Sequence, residues 1–489
     1  MIKNNSRNLC IRLAILFLFS VYIRTIHTTT THESSGTRYV FHHPITIDKA
    51  VFAAYKNRED LKAFEYTILA SKYEQKAALG GALPQLSVIA NANRFGGPEL
   101  LTTAGLEPES AVADPDFSNF PRSVTLEFSQ LIFSLDGPID QYKIAKMETK
   151  VLKSRREQLL NRIILSTEQT FYDLQRELLR KKLVAALENS SELTFDQDTG
   201  RNEVGFFNKS QWFQAKSEYY DNLDDVSNYP HDIQISLGRL EREADVDIDP
   251  AKISLLIPDV TKIKLKPLEY YYQKALAYRP ELTEKDHRIK QAKYSEGFYK
   301  KQYIPELRVF ANATKGKLPC DNRLSNLDLR PTGSELSLRD LLPINRSPLV
   351  WQAGVVATWK FDGLGSAHRG VAYEKHVLEF ELQKKDLELE IVKDVKVIYY
   401  QLTNRLGELK ATEIAYEQSL VELDRRKEQR IVGQAADYEV AQAELFSRNK
   451  EFALINLKIT INKLYANLLF LCGYPPEISN NSLKVKYEQ

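Results

Sequence analysis

Two hydrophobic periods take turns along this chain. Residues 122–133 (RSVTLEFSQLIF) alternate: Val124, Leu126 and Phe128 fall on one face of an extended strand, and Ser123, Thr125, Glu127 and Ser129 on the other. Residues 85–93 set Leu86, Val88, Ala90 and Ala92 against Ser87, Asn91 and Asn93. Residues 351–361 set Ala353, Val355, Ala357, Trp359 and Phe361 against Thr358 and Lys360, while residues 306–314 alternate less cleanly. Period-two runs of about ten residues have the size of transmembrane barrel strands, and a soluble sheet with one wet face shows the same period. Long polar loops, 96–121 and 316–349, join the strands of each pair. Their length suits the external face of an outer-membrane barrel.

Helical sequence fills most of the rest. Residues 46–79 are rich in Ala, Leu, Lys and Glu, with Asn57 and Asp60 placed to cap or charge a helix start. Pro280 marks the corresponding start later in the chain. Pro84 and Pro305 are the helix-to-strand turns, because proline ends a helix and favours extended backbone before it. Residues 365–430 contain no proline and read as one helix about 100 Å long, at roughly 1.5 Å per residue. A helix of that length has to pair with others as a coiled coil or a tunnel wall. Residues 437–471 make the helix that returns beside it. The earlier hairpin is less regular: SSELTFDQDTG (190–200) weakens its outgoing helix, and Pro230 is expected to kink or break the returning one.

This order of signals occurs twice. A shift of 221 lays residues 57–93 on 278–314 without a gap, and 11 of the 37 pairs are identical, where roughly two are expected by chance. Asp136-Gly137 matches Asp362-Gly363 at a shift of 226, and Val204-Gly205 matches Val432-Gly433 at 228. Residues 44–258 and 259–478 therefore carry one unit each, with strands at about 84–95 and 122–133, then 305–315 and 350–361. Residues 31–43 precede the first unit, and residues 479–489 form a tail.

Composition narrows the class. The chain has 489 residues, 43% hydrophobic and 27% charged, with a net charge of +2, so nothing points to disorder or to nucleic acid. Lys3, Arg7 and Arg12 precede the apolar run 13–23, and Arg24 closes it. That pattern reads as a signal peptide within residues 1–30, although no small-x-small cleavage triplet follows. Cys10 precedes the apolar run and is not placed as a lipoprotein cysteine, while Cys320 and Cys472 read as unpaired. No catalytic motif, cofactor loop or metal spacing stands out: His42-His43 is an isolated pair, and Asp196 with Asp198 lacks the rest of a calcium loop. The expectation is a protein that is not an enzyme and holds no cofactor.

With those segments in view, the chain resembles the TolC-like outer-membrane efflux and secretion channels. The resemblance lies in ITIDKAVFAAYKNREDLKAFEYTILASKYEQKAALGGALPQLSV (45–88), FSLDGPIDQYKIA (133–145), WKFDGLGSAHRGVA (359–372) and IVGQAADYEVAQAELFSRNKEFALINLKITINKLYANLLFLCG (431–473). It implies a mainly α fold of two structural repeats. Each chain would give four strands to a trimeric 12-stranded transmembrane β-barrel, with a long α-helical tunnel in the periplasm. It implies an outer-membrane exit duct for efflux or type I secretion. The partners are then two further copies of the chain, a periplasmic adaptor, an inner-membrane transporter and lipid. Carried over by position, the adaptor-docking hairpin tips fall at Val204-Gly205 and Val432-Gly433, and the acidic pore gate at Glu439 and Gln442. Gln442 lacks the charge that the family pattern has there. The opposing reading is a coiled-coil scaffold without channel activity, exported or cytoplasmic. It accounts for the long helices but not for the paired strands or the leader.

Overall fold

The computed structural model describes residues 45–92, 122–134, 137–317, 349–359 and 361–474. The leader, the His42-His43 pair, Cys10, Cys320, most of both long loops and the tail lie outside the described residues.

The first unit runs α1 (Ile47–Asn57), α2 (Glu59–Gly80), β1 (Gln85–Ala92), β2 (Arg122–Phe133), α3 (Pro138–Leu179), α4 (Lys181–Glu203) and α5 (Lys209–Ala244). The second runs α6 (Leu268–Tyr278), α7 (Pro280–Lys301), β3 (Glu306–Lys317), β4 (Leu349–Thr358), α8 (Gly365–Ile431) and α9 (Asp437–Leu471). The units match in length: α1 and α6 have 11 residues each, and α2 and α7 have 22 each. Two single-turn 3₁₀ helices, Pro250–Lys252 and Val260–Lys262, lie on the link between the units, which bonds back to the start of α1 through Ile45 and Lys252.

Several local expectations need correction. Residues 46–79 are two helices broken at Arg58, whose ψ of 120° leaves the helical region. Neither Asn57 nor Asp60 is the N-cap of the second helix, but Asp60 lies in its first turn, as a charge favourable to the helix start, and accepts from the Leu61 amide at 2.8 Å. Asn57 ends α1, and Asp60 accepts from the Arg58 guanidinium at 2.7 Å while Glu243 takes its other arm at 2.6 Å. This ion-paired arginine holds a bend that contains no Gly or Pro. Pro230 lies inside an unbroken α5. It is exposed, so the carbonyl freed by its missing N–H faces water. Gly200 lies within α4, and the outgoing helix of this unit is interrupted instead at Arg180. β4 ends at Thr358, so Trp359 and Phe361 stand beyond the strand.

The largest core cluster sits where α1, α2, α3, α6, α7, α8 and α9 converge, around Leu61, Ile164, Tyr271, Leu282, Ile391, Leu402 and Ile461. Cys472 belongs to it as a free thiol, and burial pushes its pKa up to about 12. A second cluster joins α1, α3 and α5 through Ala50, Phe171, Leu174, Leu237 and Leu240. From this middle region the helices run in two directions, one set to the sheet and the other to the hairpin tips.

Candidate membrane sheet and hairpin tips

The four strands form one antiparallel sheet in the order β1-β2-β3-β4. Its register sorts most residues by chemistry. Val88, Leu126, Ala313 and Trp351 make one row, and Leu86, Phe128, Ala311 and Ala353 the next on the same face. On the opposite face lies the row Ser87, Glu127, Asn312 and Gln352, next to the row Ile89, Thr125, Thr314 and Val350, whose threonine hydroxyls bond at 2.9 Å; Leu131 and Val356 are further apolar residues on this face. β3 follows this alternation, with Leu307, Val309, Ala311 and Ala313 on the apolar face and Arg308, Asn312 and Thr314 on the polar one. A bulge at Ile132 turns Phe133 onto the apolar face opposite Leu307.

Polar exceptions on the apolar face sit near its ends. Gln130 donates to the Ala82 carbonyl at 2.8 Å, and Lys315 lies at the loop end. Gly354, on the polar face, leaves room for the Phe310 ring, which an added Cβ would meet at 3.2 Å.

The apolar face is bare: Leu86 is 67% exposed, Val88 65% and Trp351 74%. A soluble sheet covers such a face with a second layer, because leaving it wet forgoes about 25 cal/mol per Å². Trp351 stands near the loop end. At the helix end the Trp359 indole donates to the Tyr303 carbonyl at 2.8 Å and stacks on Phe361. The eight positions from Trp351 to Trp359 span roughly 27 Å along a strand, or about 20 Å of bilayer at barrel tilt. Two exposed tryptophans thus bracket this stretch of β4.

Among the described residues, both sheet edges, β1 and β4, are unpaired. The helices repeat the arrangement. Toward the sheet they pack in the order α2, α3, α7, α8, and toward the tips in the order α5, α4, α9, α8. The outer members carry exposed apolar residues: Tyr66, Leu69 and Tyr73 on α2, Phe213 and Tyr220 on α5, and Leu378, Leu382, Leu389, Ile414 and Val421 on α8. The residues named on α8 are spaced 4, 7, 25 and 7 apart, near whole helical turns, so they fall on one helix face.

The strand-to-helix turn into α8 is held by side chains. Asp362 accepts from the Ser366 amide at 2.7 Å and the Tyr303 hydroxyl at 3.0 Å, and its pKa lies below the usual carboxylate range, chiefly because Ser366 bonds to it. Near the start of α3, Asp140 is buried and receives Lys301 at 2.9 Å and Lys143 at 3.1 Å. Burial alone raises that carboxyl, but the two lysines outweigh it and hold its pKa low.

The hairpin tips share one backbone design. Gly205 and Gly433 have φ of +82° and +75°, a left-handed conformation that glycine adopts without a Cβ penalty. Each closes its helix by a paired bond: Gly205 to the Asn202 carbonyl and Phe206 to that of Arg201, then Gly433 to Arg430 and Gln434 to Gln429. Val204 and Val432 directly before them are exposed. Across the first tip Asn208 and Gln211 exchange bonds of 2.9 and 3.0 Å as a capping box that restarts the helix at Lys209.

The other expected site residues lie as follows. Pro84 and Pro305 stand in the turns before β1 and β3. Glu439 occupies the place in α9 that Gln211 has in α5, and its Oε2 accepts from the Ala436 amide at 2.9 Å, so it serves the helix start. The Gln442 amide faces the Thr194 hydroxyl of α4 at 3.4 Å, a contact between the two hairpins. The two therefore have separate partners within one chain. Sequence reasoning passed over Phe206 and the Asn208–Gln211 box. The Asn-x-x-Gln spacing carries a signal for the box. Among the described residues, no group of three or more His, Cys, Asp or Glu side chains is placed to hold a metal ion, and no helix is long and apolar enough to cross a membrane.

No protein-family model matches the chain, and no curated protein sequence matches it. Solved structures do. A membrane protein from Pseudomonas aeruginosa aligns over 88% of this chain and 93% of its own at 14% identity, with a TM-score of 0.65. The Vibrio cholerae outer membrane protein VceC aligns over 87% and 96% at 17% identity and a TM-score of 0.62. The Campylobacter jejuni outer membrane channel CmeC aligns over 87% and 85% at 16% identity and a TM-score of 0.61. Nearly the whole chain thus has the fold of outer-membrane channel proteins.

Proposed function

We propose that this chain is the outer-membrane exit duct of a tripartite efflux or type I secretion system. It conducts substrates passively from a periplasmic adaptor and an inner-membrane transporter to the exterior. The observation that carries the reading is the sheet itself, apolar and bare on one face, more polar on the other, and open at both edges among the described residues.

Lipid tolerates neither an exposed strand edge nor a polar outer face. Four strands cannot close on themselves, so neighbouring copies have to complete the wall. The two edges differ, so the joint is head-to-tail and closes as a ring. An even number of strands per copy keeps β4 antiparallel to the next copy's β1. Three copies give the 12-stranded barrel of the family, with its helical tunnel in the periplasm.

The chain contains a template for that joint, because β2 meets β3 inside one copy where the two repeats adjoin. The pairing of β2 with β3 then carries over as β4 of one copy against β1 of the next. Glu439, three per ring, remains the acidic gate candidate, and the tips at Gly205 and Gly433 are the docking ends.

A deletion strain tested for drug sensitivity, metal sensitivity and missing secreted proteins identifies the cargo, and deletion of individual adaptors with the same phenotype identifies the partner. The purified protein is expected to run as a trimer in detergent and to form channels in planar bilayers. A monomeric, salt-extractable protein without conductance would favour the scaffold reading.

A further inference from the structure

The two hairpin tips have the same backbone but present different side chains. With the shift of 228, Phe206 and Phe207 stand where the second tip has Gln434 and Ala435. Phe206 is 79% exposed just past the glycine, whereas the second tip exposes Ile431 (84%) before it, where the first has Glu203. The surroundings differ as well. From 188 to 225 nine carboxylates face three cations, a formal charge of −6, while the matching 416–453 has eight and six, a charge of −2.

The first tip is also stiff. Phe195 of α4 stacks on Tyr219 of α5 at 4.2 Å and on Trp212 at 5.7 Å, both nearly parallel. With the capping box just past Phe206 on the chain, this aromatic column fixes the turn from two sides. An exposed aromatic on a rigid base is the usual form of an interface anchor, since little freedom is left to lose on docking. The carboxylate flank adds steering and salt dependence more than affinity.

We infer that the first tip, anchored by Phe206, sets the affinity for the periplasmic adaptor, and that the adaptor meets it with an apolar pocket rimmed by lysine or arginine. This rests on the exit-duct reading above. The second tip suits such a pocket less well, because its carboxylates Glu422 and Asp437 are already taken up by Arg425, Arg426 and Arg430 of the same tip.

The test uses the full-length oligomer in lipid nanodiscs and, as probe, the purified adaptor identified by the export assay above. Phe206→Gln is expected to fold, since Gln434 occupies the same turn in the second repeat. It is expected to weaken binding at least about tenfold, mostly through faster dissociation. Ile431→Glu, which copies the first tip's Glu203, is expected to change affinity less. Added salt is expected to slow association of wild type and Phe206→Gln alike. An affinity within about twofold of wild type for Phe206→Gln, or a larger loss for Ile431→Glu, overturns the inference alone. So does higher single-channel conductance of Phe206→Gln with unchanged affinity, which would place the ring at the pore mouth between copies. Failure of the wild type to bind the adaptor overturns the exit-duct reading together with it.

Discussion

At the scale of single residues, backbone exceptions were the legible features. Gly205, Gly433, Pro84 and Pro305 stand out in sequence because only these residue types favour such conformations, so their places follow from two repeats and elementary sterics. Nothing lies within 4 Å of a Cβ built on Gly433, so substitution there costs only the left-handed backbone. Gly433→Val is expected to cost about 1–2 kcal/mol locally and to impair export while leaving the amount of folded oligomer unchanged, as read by export assay and gel. Asp140 was only half legible: Lys143 is one turn away on the same helix, but Lys301 comes from 161 residues along the chain. Its depressed pKa gives a signed prediction. Stability from this carboxylate is complete above its unfolded value near 4 and disappears as pH falls through the lower folded value. Asp140→Asn is expected to lower stability by about 1–2 kcal/mol at neutral pH, discounted for the partial exposure of both lysines. In thermal melts of the solubilised protein the gap to wild type is expected to close as pH drops from about 5 to 2. A constant gap would assign the loss to packing.

At the scale of elements, what could be read depended on whether packing or a local residue decides the outcome. β1, β2 and β4 alternate openly because one face is apolar. β3 reads less cleanly because Phe310, sheltered by Gly354, stands among its polar positions. The breaks at Arg58 and Arg180 contain no Gly or Pro and are held by ion pairs to Glu243 and Asp232, residues far along the chain. Pro230 misled in the opposite direction: it sits exposed on α5, and the helix runs on through it. The two sheet faces can be separated by adjacent substitutions. Val88→Lys puts a charge in the apolar band and is expected to cost about 2–4 kcal/mol, seen as lost outer-membrane yield. Ser87→Lys, one residue earlier on the polar face, is expected to insert normally and shift ion selectivity toward anions in bilayer recordings. The reverse outcome would mean that the sheet is inside out.

At the scale of the whole molecule, the repeat predicts how copies would meet in the proposed ring. Inside one chain α3 packs on α7 with Glu148 at 2.9 Å from Arg288 and Arg155 at 2.8 Å from Glu284. Moving α3 by 226 and α7 by 221 turns these contacts into α8 against α2 of the next copy. By this transfer Glu374 comes beside Thr67 and Glu381 beside Ala63, while within the chain the two carboxylates hold Lys300 and Lys293 of α7, each at 3.3 Å. Between them fall Leu378 and Tyr66, both exposed in a single chain. The double variant Leu378→Cys, Tyr66→Cys is expected to oxidise into covalent trimers on a denaturing gel, with dimers only as intermediates, because a head-to-tail ring links every copy to two others. Each single variant is expected to give no ladder. A product that stops at dimer would signal a two-fold interface instead, which four strands per copy and two unlike edges cannot turn into a closed wall.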